Sequence, residues 1–222
     1  MAAVVSSAML RSVPLFASFP EEPLRLLATV VTRRSATRSS IIIAAGEPTE
    51  SLYIVLSGRL KVMMSDADGK EVILTIIGPG EFFGEMGLID DSPRSASVVA
   101  IEACELLAIT RRDFKKCLAE NFEMSMAVMR GLVRRLREAD RKIGSLALLD
   151  VYGRVARLLL DMSETVDGQK MVTKRLPKQD IAKMIGASRE MVSRVMKDLQ
   201  LGGFIEMRGS TILLRDTILL PD

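Results

Sequence analysis

The chain has no histidine and no tryptophan, only two cysteines, and 4% aromatic residues in 222. Each shortage removes a class of chemistry. Without histidine there is no Ser-His-Asp triad, no His-ligated haem and no usual zinc site. Cys104 and Cys117 are spaced neither as a metal site nor as a disulfide framework, and they are too few for an iron–sulfur cluster. No apolar run reaches the ~18 residues that a membrane span requires. The mildly apolar start, Met1 to Leu10, lacks the basic n-region of a signal peptide. No P-loop and no catalytic constellation is visible. These shortages predict a cytoplasmic protein that is not an enzyme, with no metal, no haem, no iron–sulfur cluster and no membrane partner.

The material that is present is globular: 48% hydrophobic and 27% charged residues, in a length that allows two cores. The net charge of +3 hides a split. Residues 1–110 carry 9 Lys/Arg against 13 Asp/Glu, whereas residues 111–222 carry 22 against 15. A basic C-terminal half points to a polyanion partner there.

Residues 1–38 read as short helices around Pro14, Pro20 and Pro23. From Ser39 to Ile109 short β-branched runs separated by glycines take over: Ile41–Ile43, Leu52–Leu56, Leu60–Met64, Val72–Ile77, Ala96–Ala100 and Leu106–Ile109. Strands of this length and spacing predict an antiparallel barrel or roll. Within that region lies the densest motif, Gly84-Glu85-Met86-Gly87-Leu88 followed by Arg94-Ser95-Ala96. Gly84 and Gly87 allow close backbone approach to a ligand at the start of a helical turn. Arg94 supplies a permanent cation with a donor fork suited to phosphate oxygens. Glu85 offers acceptors for a ribose hydroxyl, and Ser95 one more donor. Together these are the parts that hold a cyclised nucleotide phosphate; the alternative is a Gly-rich hairpin with a surface Arg–Glu pair.

From Phe122 an apolar seam runs Phe122, Ser125, Met129, Leu132, Leu136, Ala139, Ile143, Leu146, alternating steps of three and four. That is an a/d heptad register, with Arg130, Arg134, Arg135, Arg137, Arg141 and Lys142 on the flanks. A single narrow stripe predicts a parallel two-stranded dimer interface; a helix packed on its own domain usually shows a wider one. Asp150 caps a further helix from Val151 to Met162, and a polar turn follows at Asp167-Gly168. Lys178–Ile185 and Ser188–Gln200 then predict two helices about the turn Gly186-Ala187. A hairpin over 204–214 turns at Gly209. Helix, turn, helix and hairpin make a winged helix-turn-helix, whose second helix enters the major groove by its N-terminal residues. Here these are Ser188, Arg189 and Glu190, with Arg194 one turn on. Arg suits guanine O6 and N7, and Glu suits cytosine N4. An ordinary surface Arg–Glu pair is the competing reading.

Three motifs in this order resemble the cyclic AMP receptor protein (CRP/FNR) family of bacterial transcription regulators over roughly residues 10–215. They are Gly84–Leu88 with Arg94–Ala96, Leu149-Asp150-Val151 with Gly153-Arg154, and Ser188-Arg189-Glu190 with Arg194. The resemblance implies an α+β chain. Its parts are an N-terminal antiparallel, jelly-roll-like cyclic-nucleotide-binding β-roll over 1–121, a dimerisation helix over 122–148 and a winged helix-turn-helix over 149–222. It implies ligand contacts from Gly84, Glu85, Met86, Arg94 and Ser95. Arg189, Glu190 and Arg194 would contact bases, and Lys178 and Gln179 phosphates. The dimer interface would be built from Met129, Leu132, Leu136, Ala139, Ile143 and Leu146. The implied partners are double-stranded DNA, a second copy of the chain and RNA polymerase, with cyclic AMP as the effector. One departure bears on that effector. The family's cyclic AMP receptors hold adenine with an adjacent Thr-Ser pair, and Ala139 and Asp140 stand at those positions here. An acceptor-only carboxylate leaves cyclic GMP and cyclic di-GMP open as alternatives, and a nucleotide-binding module without sequence-specific DNA recognition is the second alternative to a regulator that reads a palindromic DNA site.

Overall fold

One sheet of the N-terminal half is apolar on both faces, and this organises everything around it. The computed structural model describes residues 5–215 apart from Ser18 and Arg175; the outermost parts of the expected first and last domains, residues 1–4 and 216–222, lie outside the described residues. The chain begins with α1 (Ser7–Arg11), a 3-10 turn (Pro14–Phe16) and α2 (Glu21–Val30). Strands β1 (Thr32–Ala36), β2 (Ile41–Ile43), β3 (Ser51–Ser57), β4 (Leu60–Ser65), β5 (Glu71–Ile77) and β6 (Phe82–Phe83) follow. Then come the single turn α3 (Met86–Ile89), β7 (Ser97–Ala100), β8 (Cys104–Thr110), α4 (Arg111–Glu120) and the long α5 (Phe122–Leu148). The strands form two antiparallel four-stranded sheets, ordered β1-β8-β3-β6 and β2-β7-β4-β5.

Side chains alternate across a strand, so β3 and β8 feed two cores at once. Leu52, Ile54, Leu107 and Ile109 face the helices, with Phe16, Leu24, Leu27, Phe114, Met124 and Val128. Val55, Leu106 and Cys104 face the second sheet, with Ile43, Leu60, Ile77, Phe83 and Val98. This double burial explains why the two strands read as near-continuous apolar runs.

The expectation of helices throughout 1–38 needs correction: Thr32–Ala36 is a strand, paired in register from Thr32↔Ala108 to Ala36↔Cys104. It is an exposed edge with the sequence Thr-Arg-Arg-Ser-Ala, so no apolar alternation announces it. The long helix matches its expected start and runs to Leu148. Arg135, read as an outward polar flank, instead turns toward the roll. The stripe Met124, Val128, Gly131 packs there, with Gly131 so close to Phe82 that a Cβ would meet the ring at 2.8 Å. Leu132, assigned to the seam, also packs partly against this core.

The chain divides into two compact units, Met1–Arg135 and Leu136–Asp222. In the second, α6 (Val151–Asp161), α7 (Lys178–Ile185) and α8 (Arg189–Leu201) surround a core that includes Val155, Leu159, Ile181, Val192 and Leu199. The turn at Asp167-Gly168 joins β9 (Glu164–Val166) to β10 (Gln169–Val172), two strands that complete one sheet with β11 (Ile205–Arg208) and β12 (Thr211–Leu214) in the order β11-β12-β10-β9.

Candidate effector site and DNA-reading helix

The glycines of the cassette are required by the protein itself. Gly84 has φ +83, and a Cβ there would meet Arg94 Nη1 at 2.5 Å. At Gly87 a Cβ would collide with the Ser92 carbonyl and the Thr49 hydroxyl. Both positions are thus small for the protein's own side chains as well as for a ligand: the absent Cβ atoms make room for Arg94 and Thr49.

Arg94 is half-buried. Its Nη1 donates to the Gly84 carbonyl and its Nη2 to the Ser51 carbonyl, each at 2.7 Å. Two carbonyls fix the guanidinium plane without neutralising its charge. Burial pulls Arg94 below the usual arginine value, while leaving it a cation at any physiological pH. Of the three arginines around the cassette it alone lacks a carboxylate within 4 Å among the described residues. Arg111 pairs with Asp91, and Arg135 with Glu85 at 2.6 Å.

Glu85 is buried, its side chain only 2% exposed, and the Arg135 that meets it is 31% exposed. Arg135 also donates to the Phe82 carbonyl and lies 4.9 Å above the Phe82 ring. This residue, missed as a site component, ties α5 directly to the cassette. Its sequence signal is the sequence Met124, Val128, Gly131, Arg135, stepping by four, three and four, which a glycine and a charge disguise as polar. Ser95 is exposed, with its hydroxyl 3.8 Å from the Met86 sulfur, and Met86 is exposed beside it.

In the second unit Ser188 caps α8, accepting from Met191 N–H at 3.1 Å. Val192, Val195, Met196 and Leu199 turn into the core, which leaves Arg189, Glu190 and Arg194 exposed on the opposite side. None of the three has an ion-pair partner within 4 Å among the described residues, so the competing Arg–Glu pair is absent. Lys178 and Gln179 are exposed in the first turn of α7, which Gly186 closes in the left-handed conformation. Arg154, on α6, donates to the carbonyl of Ile185 at 2.8 Å, bracing the turn between the two helices.

Comparison with known proteins matches both halves. Residues 33–121 fit the cyclic nucleotide-binding domain family, and residues 153–220 fit the Crp-like helix-turn-helix domain family. The chain is 36% identical over 192 residues to the cAMP-activated global transcriptional regulator Vfr of Pseudomonas aeruginosa, covering 83% of this chain and 90% of that one. The chain belongs to the CRP/FNR family of transcription regulators. A second CRP-like relative, the cAMP-activated global transcriptional regulator of Mycobacterium tuberculosis, is 35% identical over 184 residues, covering 81% of this chain and 82% of that protein. Among solved structures, the c-di-GMP responsive global regulator CLP of Xanthomonas campestris superposes with a TM-score of 0.76 at 30% identity, over 89% of this chain and 100% of that one.

As a CRP/FNR protein the chain is a cyclic-nucleotide-responsive, DNA-binding transcription regulator rather than an enzyme. Among the described residues, no helix is long and apolar enough to cross a membrane. Ala139 and Asp140, the residues at the expected base contact, are exposed on α5. Asp140 has no ion-pair partner within 4 Å among the described residues, so neither Arg137 nor Arg141 ties it down as a surface salt bridge. The seam itself is open in the single chain: Met129, Leu136, Ile143 and Leu146 are all exposed.

Proposed function

We propose that this regulator is a cytoplasmic homodimer that binds one cyclic AMP per cassette and, when loaded, binds an inverted-repeat DNA site and engages RNA polymerase. The observation that carries the effector reading is Arg94: a half-buried guanidinium, oriented by two carbonyls and left without a carboxylate. Among the described residues, one cassette arginine without a carboxylate within 4 Å matches one phosphodiester, and a cyclic mononucleotide carries one. Gly84 places its backbone against that cation, Glu85 and Ser95 flank it for the ribose and phosphate, and Met86 borders it. The curated relatives named above are cAMP-activated, which selects adenine among the mononucleotides.

Dimerisation is supported by the open seam of Met129, Leu136, Ala139, Ile143 and Leu146, with the half-buried Leu132 between them, along a helix of ~40 Å. Two copies of α8 related by a two-fold axis present Arg189, Glu190 and Arg194 to successive major grooves, with Lys178 and Gln179 on the phosphates. The division into an effector roll over 1–121, a dimer helix over 122–148 and a DNA-binding unit over 149–222 follows these roles.

A second reading, cyclic di-GMP, is favoured by Ala139-Asp140 in place of the Thr-Ser pair and by the likeness to CLP. It needs a second cation for the second phosphodiester, and exposed Arg137 and Arg141 supply candidates. Calorimetry of the wild-type protein and Arg94→Ala against cyclic AMP, cyclic GMP and cyclic di-GMP separates the readings. Loss of a charge-assisted contact by Arg94→Ala removes ~1.5–3 kcal/mol, or at least about tenfold in affinity. Unchanged affinity for every nucleotide makes the cassette a structural hairpin. Tight cyclic di-GMP binding that needs Arg137 and Arg141 transfers the assignment to the second reading.

A further inference from the structure

The loop between α3 and Arg94 is gripped from outside the cassette by α4. Arg111 Nε and Nη2 both donate to the Thr49 carbonyl, at 3.0 and 2.6 Å, and Nη1 pairs with the Asp91 carboxylate. The Arg111 backbone N–H donates to the Glu50 carbonyl at 2.7 Å. Lys115, one turn along α4, donates to the same Asp91 oxygen at 2.8 Å. Asp91 sits at φ +59, in the left-handed region that aspartate and asparagine tolerate better than other non-glycine residues. Next to it, the Ser92 carbonyl accepts from the buried Thr49 hydroxyl at 3.0 Å.

The segment that Arg111 grips is the one that holds Arg94. Ser51 accepts from the Arg94 guanidinium two residues after Thr49 accepts from Arg111. The Glu47 carbonyl accepts the Arg94 backbone N–H at 2.9 Å, and the Arg94 carbonyl accepts from Gly46 N–H at 2.8 Å. Two guanidinium groups thus hold alternate carbonyls of one short stretch, 49 and 51, and the loop that Arg111 pins at Asp91 leads straight into Arg94. Capping α4 does not require this arrangement, because Thr110 already caps that helix by accepting from Asp113 N–H.

We propose that Arg111 is a positioning residue for effector binding, which acts through Arg94 by clamping the Thr49 carbonyl and the Asp91 carboxylate so that the Arg94 guanidinium is already aimed when the phosphate arrives. An arginine ordered in advance spends no rotamer freedom on binding, so the clamp appears as affinity. The Asp91 carboxyl is held below the usual carboxylate range by Lys115 and then by Arg111. The proposal rests on Arg94 being the phosphate cation.

The test is calorimetry of the full-length protein with cyclic AMP, well below the melting temperature, on Arg94→Ala, Arg111→Ala and Arg111→Lys. A role limited to stability lowers the melting temperature and leaves this affinity intact. The clamp predicts that Arg111→Ala weakens binding about tenfold or more, and that Arg111→Lys, which keeps the pair with Asp91 but not the fork on Thr49, falls between it and wild type. Binding by folded Arg111→Ala within about twofold of wild type, with Arg94→Ala defective, overturns the clamp alone. Wild-type binding by Arg94→Ala overturns the phosphate-site reading beneath it. If Arg111→Ala does not fold, Asp91→Asn, which tolerates the same backbone conformation, takes its place: a loss of about threefold or more is expected, and unchanged affinity overturns the proposal.

Discussion

Replacing Arg135 by alanine tests whether the long helix is anchored to the cassette by charge. The substitution leaves the Glu85 carboxylate, 2% exposed, without its guanidinium at 2.6 Å. Breaking a fully buried ion pair costs ~3–5 kcal/mol, because the remaining charge is stranded out of water. Arg135 is 31% exposed, so solvent screens part of the interaction and the lower half of that range applies. The guanidinium also lies over the Phe82 ring, a contact of ~0.5–1 kcal/mol. A destabilisation of ~3 kcal/mol is therefore expected for Arg135→Ala in urea denaturation followed by circular dichroism. The control is Glu85→Gln in the Arg135→Ala background. With no charge to strand, the double variant should regain about half of the loss or more. An Arg135→Ala protein within ~0.5 kcal/mol of wild type, or a double variant no more stable than the single, refutes the argument.

Leu136→Glu places paired carboxylates at the centre of the proposed seam, and sedimentation should report monomer; a persistent dimer means the two copies meet elsewhere. Glu190→Ala should relax selectivity at one base pair by ~1–3 kcal/mol, whereas Lys178→Ala should weaken all duplexes alike and flatten the salt dependence, as competition binding at several salt concentrations would read. Ala139→Thr with Asp140→Ser restores hydroxyls to α5 and should shift the calorimetric ranking toward cyclic AMP; an unaltered ranking places both residues outside the base site.

Legibility from sequence followed the strength of the local signal. The helix-turn-helix was readable nearly to the residue because Ser188, Gly186 and the 3.6-residue period of Val192, Val195, Met196 and Leu199 all agree. Strands buried on both faces announced themselves by composition, whereas β1, with two arginines on an exposed edge, and β6, only two residues long, carry no periodicity to find. On α5 the strongest apolar stripe is the one left open in the single chain, while the stripe that packs onto the roll ends in Gly131 and Arg135. A pattern search ranks stripes by hydrophobicity, so it found the outer face and passed over the inner one. The cassette was legible as a set of residues but not as a wiring diagram. That Glu85 belongs to Arg135, and Thr49 to Arg111, joins residues 50 and 62 positions apart.

The fit around Gly84 and Gly87 separates two kinds of descent. Both glycines are demanded by the chain itself, Gly84 by its φ of +83 whatever stands at position 94, and Gly87 by a hydroxyl and a carbonyl. A lineage that abandoned its small-molecule signal would remain under pressure to keep them, since the loop could not close otherwise. Arg94 is under weaker pressure: once no phosphate comes, its half-buried charge serves only the Gly84 and Ser51 carbonyls, which a neutral donor could satisfy. Among descendants of this chain, the glycine pattern would record inherited architecture, and a lost arginine would record the moment the signal ceased to matter.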